Sequence, residues 1–179
     1  MQENLTKNEI NKFKEDGAIL LKSKFDQNWI EKLKKGIDKD IKNPSPRFKS
    51  HTKKNGIPAY LEDYWTWDLV PEFKDFVFNS PYSKIASELM SAKKINLVMD
   101  NWFLREAGSK SAAPFHHDIT YFDIEGTMCV LWLPLESLKS TLKKSLFHKC
   151  EPLTQTTPSF LPVACNGNQR THMVPSMSK

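Results

Sequence analysis

The chain has 179 residues, 39% of them hydrophobic, and carries a formal net charge of +5. Its length and its content of Trp, Phe and Tyr are those of one ordinary domain with one core, so we expect a single folded unit. The lysines are interspersed with acids, as in EKLKKGIDKD, and form no basic stripe with interleaved aromatics. This pattern argues against nucleic-acid binding and indicates an ordinary solvated surface.

The N-terminus and the cysteines indicate the cellular compartment. The opening MQENLTKNEI is too polar for a signal peptide, and no apolar run reaches the roughly 20 residues needed to cross a bilayer. We therefore expect a soluble protein that does not bind membranes. The three cysteines, Cys129, Cys150 and Cys165, lack a C-x-x-C pairing, so neither a disulfide framework nor a structural zinc site is indicated. The predicted location is the reducing cytoplasm.

The first part of the chain is predicted to be mainly helical. Thr6 and Glu9 have the spacing of a capping box, and the helix that they begin should end at Gly17. The following AILL is a short strand candidate. In FDQNWIEKLKKGIDKDI the apolar residues recur at helical spacing, which predicts an amphipathic helix. Residues 43–60 contain three prolines and are predicted to form a loop.

The middle of the chain is predicted to pass from helix to strand. VPEFKDFVFNSPYSKIASELM has the pattern of a helix interrupted at Ser80-Pro81. INLVMDNWFLREAG and GTMCVLWLPLE are rich in branched and aromatic residues and are bounded by turn residues, which predicts two strands. Helices first and strands second indicate an α+β chain whose helices support one side of a mostly antiparallel sheet or barrel.

The composition changes after Ser137. Residues 138–179 contain one acid, Glu151, against six Lys or Arg, and none of the five Trp or four Tyr. No helical or strand periodicity is sustained there. We therefore predict a domain over residues 1–137 and an irregular tail over 138–179, and we expect the tail to be truncated or read in a shifted frame.

The segment PFHHDITYF, residues 114–122, concentrates potential metal ligands. If it is extended, the side chains of His116 and Asp118 lie on one face and that of His117 points away. An imidazole and a carboxylate are two of the three ligands of the 2-His-1-carboxylate triad, which holds iron(II) and leaves three positions open. A hydrogen-bonded His–Asp pair at a strand end is the structural alternative. The surrounding order of strand, turn, HHD, aromatic pair, turn and strand favours the metal site.

This order of segments resembles the phytanoyl-CoA dioxygenase family of iron(II)- and 2-oxoglutarate-dependent oxygenases. FKEDGAILLKSKF with its following helix, the strand INLVMDNWFLREAG, the segment HHDITYF and the strand GTMCVLWLPLES are all similar to that family, over roughly residues 6–137. The resemblance implies a double-stranded β-helix, which is a jelly-roll or cupin-like fold, with supporting helices at its N-terminus. We expect this fold to be incomplete at its C-terminus.

The resemblance also implies a set of site residues. His116 and Asp118 would ligate Fe(II), and 2-oxoglutarate would chelate the metal as co-substrate. The third ligand in the family is a late histidine. Of the two downstream histidines, His148 follows Asp118 too closely, and His172 is taken as the third ligand. The arginine that follows the distal histidine in the family has no counterpart here, because Arg170 precedes His172.

Other residues near the motif have more than one interpretation. Arg105, on the strand before HHD, is the candidate 2-oxoglutarate-binding residue, with a surface arginine at a strand end as the alternative. His51 is predicted to be an exposed loop residue. Trp132 is predicted to lie in the core, and Trp65 and Trp67 are expected to pack in core or loop rather than to form a substrate platform.

The leading functional prediction is a dioxygenase that uses O2 to hydroxylate a small metabolite or lipid-like substrate. Asp118 favours hydroxylation, because a halogenase leaves that ligand position to a halide. The alternative is a catalytically incomplete family member that binds a metal or ligand weakly, since the distal histidine and the anchoring arginine are not identified by the family's spacing. The sequence carries no signal for substrate identity or oligomeric state.

Overall fold

The computed structural model describes residues 4–51, 59–109, 116, 118–124 and 126–136. Within these ranges the elements are, in chain order, α1 (Lys7–Asp16), α2 (Gln27–Lys42), β1 (Lys49–Ser50), β2 (Tyr60–Tyr64), α3 (Pro71–Asn79), α4 (Tyr82–Met90), β3 (Asn101–Arg105) and a 3₁₀ turn (Asp118–Tyr121). The chain forms two compact units, although its length predicts one folded unit. We call residues 23–83 and 94–113 the sheet unit, and the described parts of 1–22, 84–93 and 114–179 the terminal unit.

The sheet unit is built on three antiparallel strands in the order β1-β2-β3. Tyr60 of β2 lies opposite Arg105 of β3, and Asp63 lies opposite Trp102. Because successive side chains of a strand point to opposite faces, Trp102 and its neighbours on one face turn toward the helices. The other face carries the side chains of Tyr60 and Arg105.

Helices α2 and α3 cover the face of the sheet that carries Trp102. The centre of this core is formed by Val70, Phe73 and Trp102. The partly buried side chains packed against them are Leu33, Ile37, Ile41, Phe48, Leu61, Trp67 and Leu104. The predicted apolar stripe of α2 is therefore confirmed, because its members Leu33, Ile37 and Ile41 all contact this core.

The buried apolar side chains of the terminal unit lie just before α1, on α1, on α4 and in the 3₁₀ turn. They are Leu5, Phe13, Ile85, Ala86, Leu89 and Ile119. The Leu5 amide also donates to Glu88 Oε2 at 2.7 Å, which ties the residues before α1 to α4. No helix of the described chain is long and apolar enough to span a bilayer.

The helix predictions are confirmed. Thr6 Oγ1 accepts from the Glu9 amide at 3.1 Å, and the Thr6 amide donates to Glu9 Oε2 at 2.7 Å, which completes the capping box of α1. Gly17 ends this helix at a φ of 75°, in the left-handed region. The predicted break at Ser80-Pro81 separates α3 from α4.

The strand predictions are partly wrong. AILL is not a strand, and its Leu20 is 80% exposed. Residues 126–136 form no strand, because none of the described strands pairs with them, and Trp132 is 54% exposed instead of lying in the core. β2 was not predicted, and β1 lies in the predicted loop over 43–60.

The coarse fold class agrees with the structure, since the described chain has helices packed on one face of an antiparallel sheet. Three strands do not establish a double-stranded β-helix, so that topology stays a prediction. The boundary at residue 137 also stays a prediction, and the tail over 138–179 lies outside the described residues.

Candidate metal centre

The two central residues of the predicted site lie together at the start of the 3₁₀ turn. His116 Nε2 is 3.1 Å from Asp118 Oδ1, and both side chains are 34% exposed. Asp118 is the first residue of the turn, whose Ile119 is buried and whose Ile119 carbonyl accepts from the Phe122 amide at 3.2 Å. The buried isoleucine and this hydrogen bond fix the backbone that carries the carboxylate.

The backbone around this pair is not the extended segment that the prediction assumed. Residues i and i+2 of a strand share a face, but here Asp118 already belongs to a 3₁₀ turn. The ring of Tyr121, in the same turn, lies 6.0 Å from the His116 ring, centroid to centroid. The predicted neighbour His117 lies outside the described residues.

The donor set of this pair fits part of an iron(II) site. Imidazole nitrogen and carboxylate oxygen are ligands of non-haem iron, and two ligands at right angles, each about 2.1 Å from a metal, are about 3 Å apart. The 3.1 Å between His116 Nε2 and Asp118 Oδ1 agrees with that spacing. The same distance is that of a hydrogen bond, so a simple His–Asp pair has this geometry as well.

Among the described residues, two ligand-type side chains come together at this site and not three. Within the described ranges, no group of three His, Cys, Asp or Glu side chains could hold a metal ion. Cys129 does not form such a group with the pair, and burial raises the pKa of its thiol to about 11. His172, the predicted third ligand, lies outside the described residues.

Arg105 lies at the end of β3 with an exposed side chain. Its guanidinium carbon is 4.5 Å from the centroid of the Tyr60 ring, a cation–π contact. Arg105 belongs to the sheet unit, whereas the His116–Asp118 pair belongs to the terminal unit. Its predicted role toward 2-oxoglutarate therefore stays a prediction.

His51 is exposed, and it also makes contacts with strand β2. Its amide donates to the Tyr60 carbonyl at 2.8 Å, its ring stacks on the Tyr60 ring at 4.6 Å, and its Nε2 is 3.1 Å from Glu62 Oε1. The sequence prediction missed this cluster because it missed β2. The alternation of Tyr60, Glu62 and Tyr64 on one face of a strand is the signal that could have revealed it.

The comparisons with known proteins complete the description of the site. The family model of phytanoyl-CoA dioxygenase matches residues 13–141. This range includes Arg105, His116 and Asp118 and does not reach His172. No curated protein and no solved structure gives a significant match.

Proposed function

Since the chain belongs to the phytanoyl-CoA dioxygenase family, we propose that it is an iron(II)- and 2-oxoglutarate-dependent dioxygenase that hydroxylates a small metabolite or lipid-like substrate. The family has a cupin-like fold, and membership indicates oxygenase activity of this general class. The single observation in the structure that supports the proposal is the 3.1 Å approach of His116 Nε2 to Asp118 Oδ1.

His116 and Asp118 would hold the iron, with His172 as the proposed third ligand. To bind through Nε2, the His116 imidazole must be neutral, with its proton on Nδ1, and Asp118 must be ionised. When bound, iron(II) and 2-oxoglutarate supply oxidation by O2, in which 2-oxoglutarate becomes succinate and CO2 and one oxygen atom enters a substrate C–H bond.

We assign Arg105 the role of binding a carboxylate of 2-oxoglutarate. A guanidinium presents two parallel N–H donors to a carboxylate, which a lysine cannot do. Arg105→Lys keeps the positive charge but cannot present these two parallel donors. If the role is correct, Arg105→Lys weakens 2-oxoglutarate binding by about tenfold or more, as expected for a lost charge-assisted hydrogen bond, while iron(II) binding is unchanged.

The observed sheet is compatible with the proposed fold. The β1-β2-β3 sheet, with α2 and α3 on one face, is consistent with one wall of a double-stranded β-helix. The double-stranded β-helix is our proposal for the fold, and we expect it to be incomplete at its C-terminus.

An anaerobic titration with iron(II) and 2-oxoglutarate tests the metal centre directly. The expected result is a visible charge-transfer absorption in the wild-type protein that is absent in His116→Ala and in Asp118→Ala. His51→Ala is the matched control, because His51 also faces a carboxylate, Glu62, at 3.1 Å. An absorption band in His116→Ala equal to that of the wild type would overturn the assignment. Loss of the band in the single variant His172→Ala would support His172 as the third ligand.

A catalytically incomplete family member is the second candidate function. It is favoured by the finding that the described residues bring only two ligand-type side chains together. Release of succinate in amounts well above that of the protein, dependent on O2 and lost in His116→Ala, would exclude it. A folded protein that binds iron(II) weakly and releases no succinate would support it.

A further inference from the structure

Tyr60 of β2 is a buried tyrosine on the face of the sheet that α2 and α3 do not cover. The two helices pack on the face that carries Trp102, whereas Tyr60 and Arg105, which lie opposite each other in the β2–β3 pairing, are on the other face. On that face Arg105 is exposed and Phe103 is 52% exposed, yet Tyr60 is only 8% exposed. Packing against the helices does not account for this burial.

The side chains in contact with the Tyr60 ring come from both sides of β2. Because β2 is the central strand, β1 and β3 lie on opposite sides of it. His51, which follows β1, stacks on the Tyr60 ring with 4.6 Å between the ring centroids. From β3, the Arg105 guanidinium carbon lies 4.5 Å from the centroid of the Tyr60 ring, and the Phe103 ring lies 6.3 Å from it. Contacts within the protein therefore hold the Tyr60 ring in place without a ligand.

The contact with Tyr60 restricts the Arg105 side chain without using its donors in hydrogen bonds to oxygen. A cation–π contact depends on the charge of the guanidinium, whose N–H groups can still bind a carboxylate. Among the described residues, no carboxylate or carbonyl oxygen accepts a hydrogen bond from Arg105. Arg47 differs, because its Nε and Nη2 donate to the carbonyls of Tyr64 and Trp65 at 2.9 and 2.7 Å.

The order of the Arg105 side chain affects how tightly it can bind a ligand. A freely rotating arginine loses conformational freedom when it binds, and this loss weakens the complex. We infer that Tyr60 is a positioning residue for Arg105, and that its ring holds the guanidinium in place before a carboxylate of 2-oxoglutarate binds. This inference rests on the role proposed above for Arg105. It adds that the affinity for 2-oxoglutarate depends on an aromatic ring at position 60.

Anaerobic titration of the iron(II)-loaded, full-length protein with 2-oxoglutarate measures this dependence. Tyr60→Leu removes the ring and should weaken 2-oxoglutarate binding by about three- to tenfold, as expected when one long side chain must be ordered on binding. Tyr60→Phe keeps the ring and should bind 2-oxoglutarate like the wild type. Iron(II) binding should be the same in all three proteins. A folded Tyr60→Leu with lower stability and unchanged 2-oxoglutarate affinity would overturn the inference, because it would show that Tyr60 is purely structural.

Tyr64→Leu is the matched control for Tyr60→Leu. Tyr64 lies on the same face of β2 and contacts a different cation, because Lys49 Nζ lies 5.0 Å from the centroid of its ring. Tyr64→Leu should leave the 2-oxoglutarate affinity unchanged, and a loss equal to that of Tyr60→Leu would contradict the inference. In an Arg105→Met background, Tyr60→Leu should cause no further loss, because the side chain that Tyr60 positions is absent. An undiminished loss in that background would also contradict it.

The same titrations separate this inference from the proposed function. A wild-type protein that binds no 2-oxoglutarate would contradict the proposed function and the inference with it. If Arg105→Lys binds 2-oxoglutarate as tightly as the wild type, the role of Arg105 is wrong, and Tyr60 has no such residue to position. If Arg105→Lys weakens binding and a folded Tyr60→Leu does not, only the inference is wrong.

NMR of the Arg105 side chain in the wild-type protein tests the contact without a change at Tyr60. In the absence of 2-oxoglutarate, the Nε–H signal, assigned with Arg105→Lys, should be shifted upfield by the Tyr60 ring and should show the relaxation of an ordered group. The chemical shift and the fast motion of a free surface arginine would overturn the inference. Should Tyr60→Leu fail to fold, this measurement decides.

Discussion

Gly36 of helix α2 lies against the side chain of Phe73 of α3. A Cβ built on Gly36 would be 2.5 Å from Cε1 and 2.9 Å from Cδ1 of Phe73, which is itself buried in the core. Overpacking of this kind costs about 1–3 kcal/mol, and the better helix propensity of alanine returns about 1 kcal/mol. We expect Gly36→Ala to lower the free energy of unfolding by about 1 kcal/mol in urea titrations. The exposed Lys35→Ala should be nearly neutral, and a Gly36→Ala protein more stable than wild type would contradict the packing described.

The capping box is the feature that fixes where α1 begins. Thr6 Oγ1 accepts from the Glu9 amide, one of the donors that a helix N-terminus leaves without an intrahelical partner. Thr6→Ala should therefore lower the free energy of unfolding by about 1 kcal/mol. Asn8→Ala, an exposed change in the first turn, should leave stability equal or slightly higher. Circular dichroism during urea unfolding measures both, and equal effects would show that the cap does not contribute.

Asp100 fixes the turn between β2 and α3. Its carboxylate accepts from the amides of Thr66 and Trp67 and from Thr66 Oγ1, at 2.9–3.1 Å. Trp65, just before them, has a φ of 54°, a conformation that a bulky residue adopts only when its surroundings hold it. Asp100→Ala leaves the fully buried Thr66 hydroxyl and these amides without their acceptor, so we expect a loss of about 3 kcal/mol.

The exposed Asp68→Ala, in the same turn, is the matched control for Asp100→Ala. It should change the free energy of unfolding by less than about 0.5 kcal/mol. Near-UV circular dichroism reports the tryptophans of the turn. Unchanged unfolding and unchanged tryptophan signals in Asp100→Ala would contradict the role given to Asp100.

Helices were predictable from the sequence because their signals are local. The Thr6–Glu9 spacing, the apolar period of α2 and the Ser80-Pro81 break all lie within a few residues of the feature they determine. Strands depend on partners distant in the chain. AILL and the run that contains Trp132 are rich in apolar residues but pair with none of the described strands, whereas β2, with acids at two of its five positions, does pair.

The local half of the candidate site was predictable from the sequence, and the rest was not. His116 and Asp118 are two residues apart, so a short segment suffices to bring them to 3.1 Å. A third ligand and a carboxylate-binding arginine reach a site only through the tertiary fold. Their spacing along the chain does not predict whether they reach it. His172 and Arg105 therefore stay predictions, although the family is established by the match over 13–141.

The free energy of unfolding of the whole protein is expected to fall on the acidic side of neutral pH. Glu72 and Asp75 of α3 bind Lys39 and Lys32 of α2. Hydrogen bonds from these lysines lower the pKa of both carboxyl groups. Their stabilisation is present above the ordinary carboxyl pKa and is lost as the pH falls through the lowered value. Because the lysine side chains are partly exposed, the contribution should be modest and should weaken with salt.

A fall in stability as the pH rises above the ordinary aspartate value should have a different origin and a different response to salt. Burial raises the pKa of Asp100, as it does that of Asp40, so the stability that these groups contribute falls as the pH rises from the ordinary aspartate value through the raised one. Urea midpoints measured over pH at low and high salt separate the two effects. Salt should flatten the fall toward low pH, where exposed lysines are screened, and leave the fall above the ordinary aspartate value nearly unchanged, because buried carboxyl groups are poorly screened. Equal flattening of both falls would mean that exposed charges, rather than buried acids, limit stability above that value.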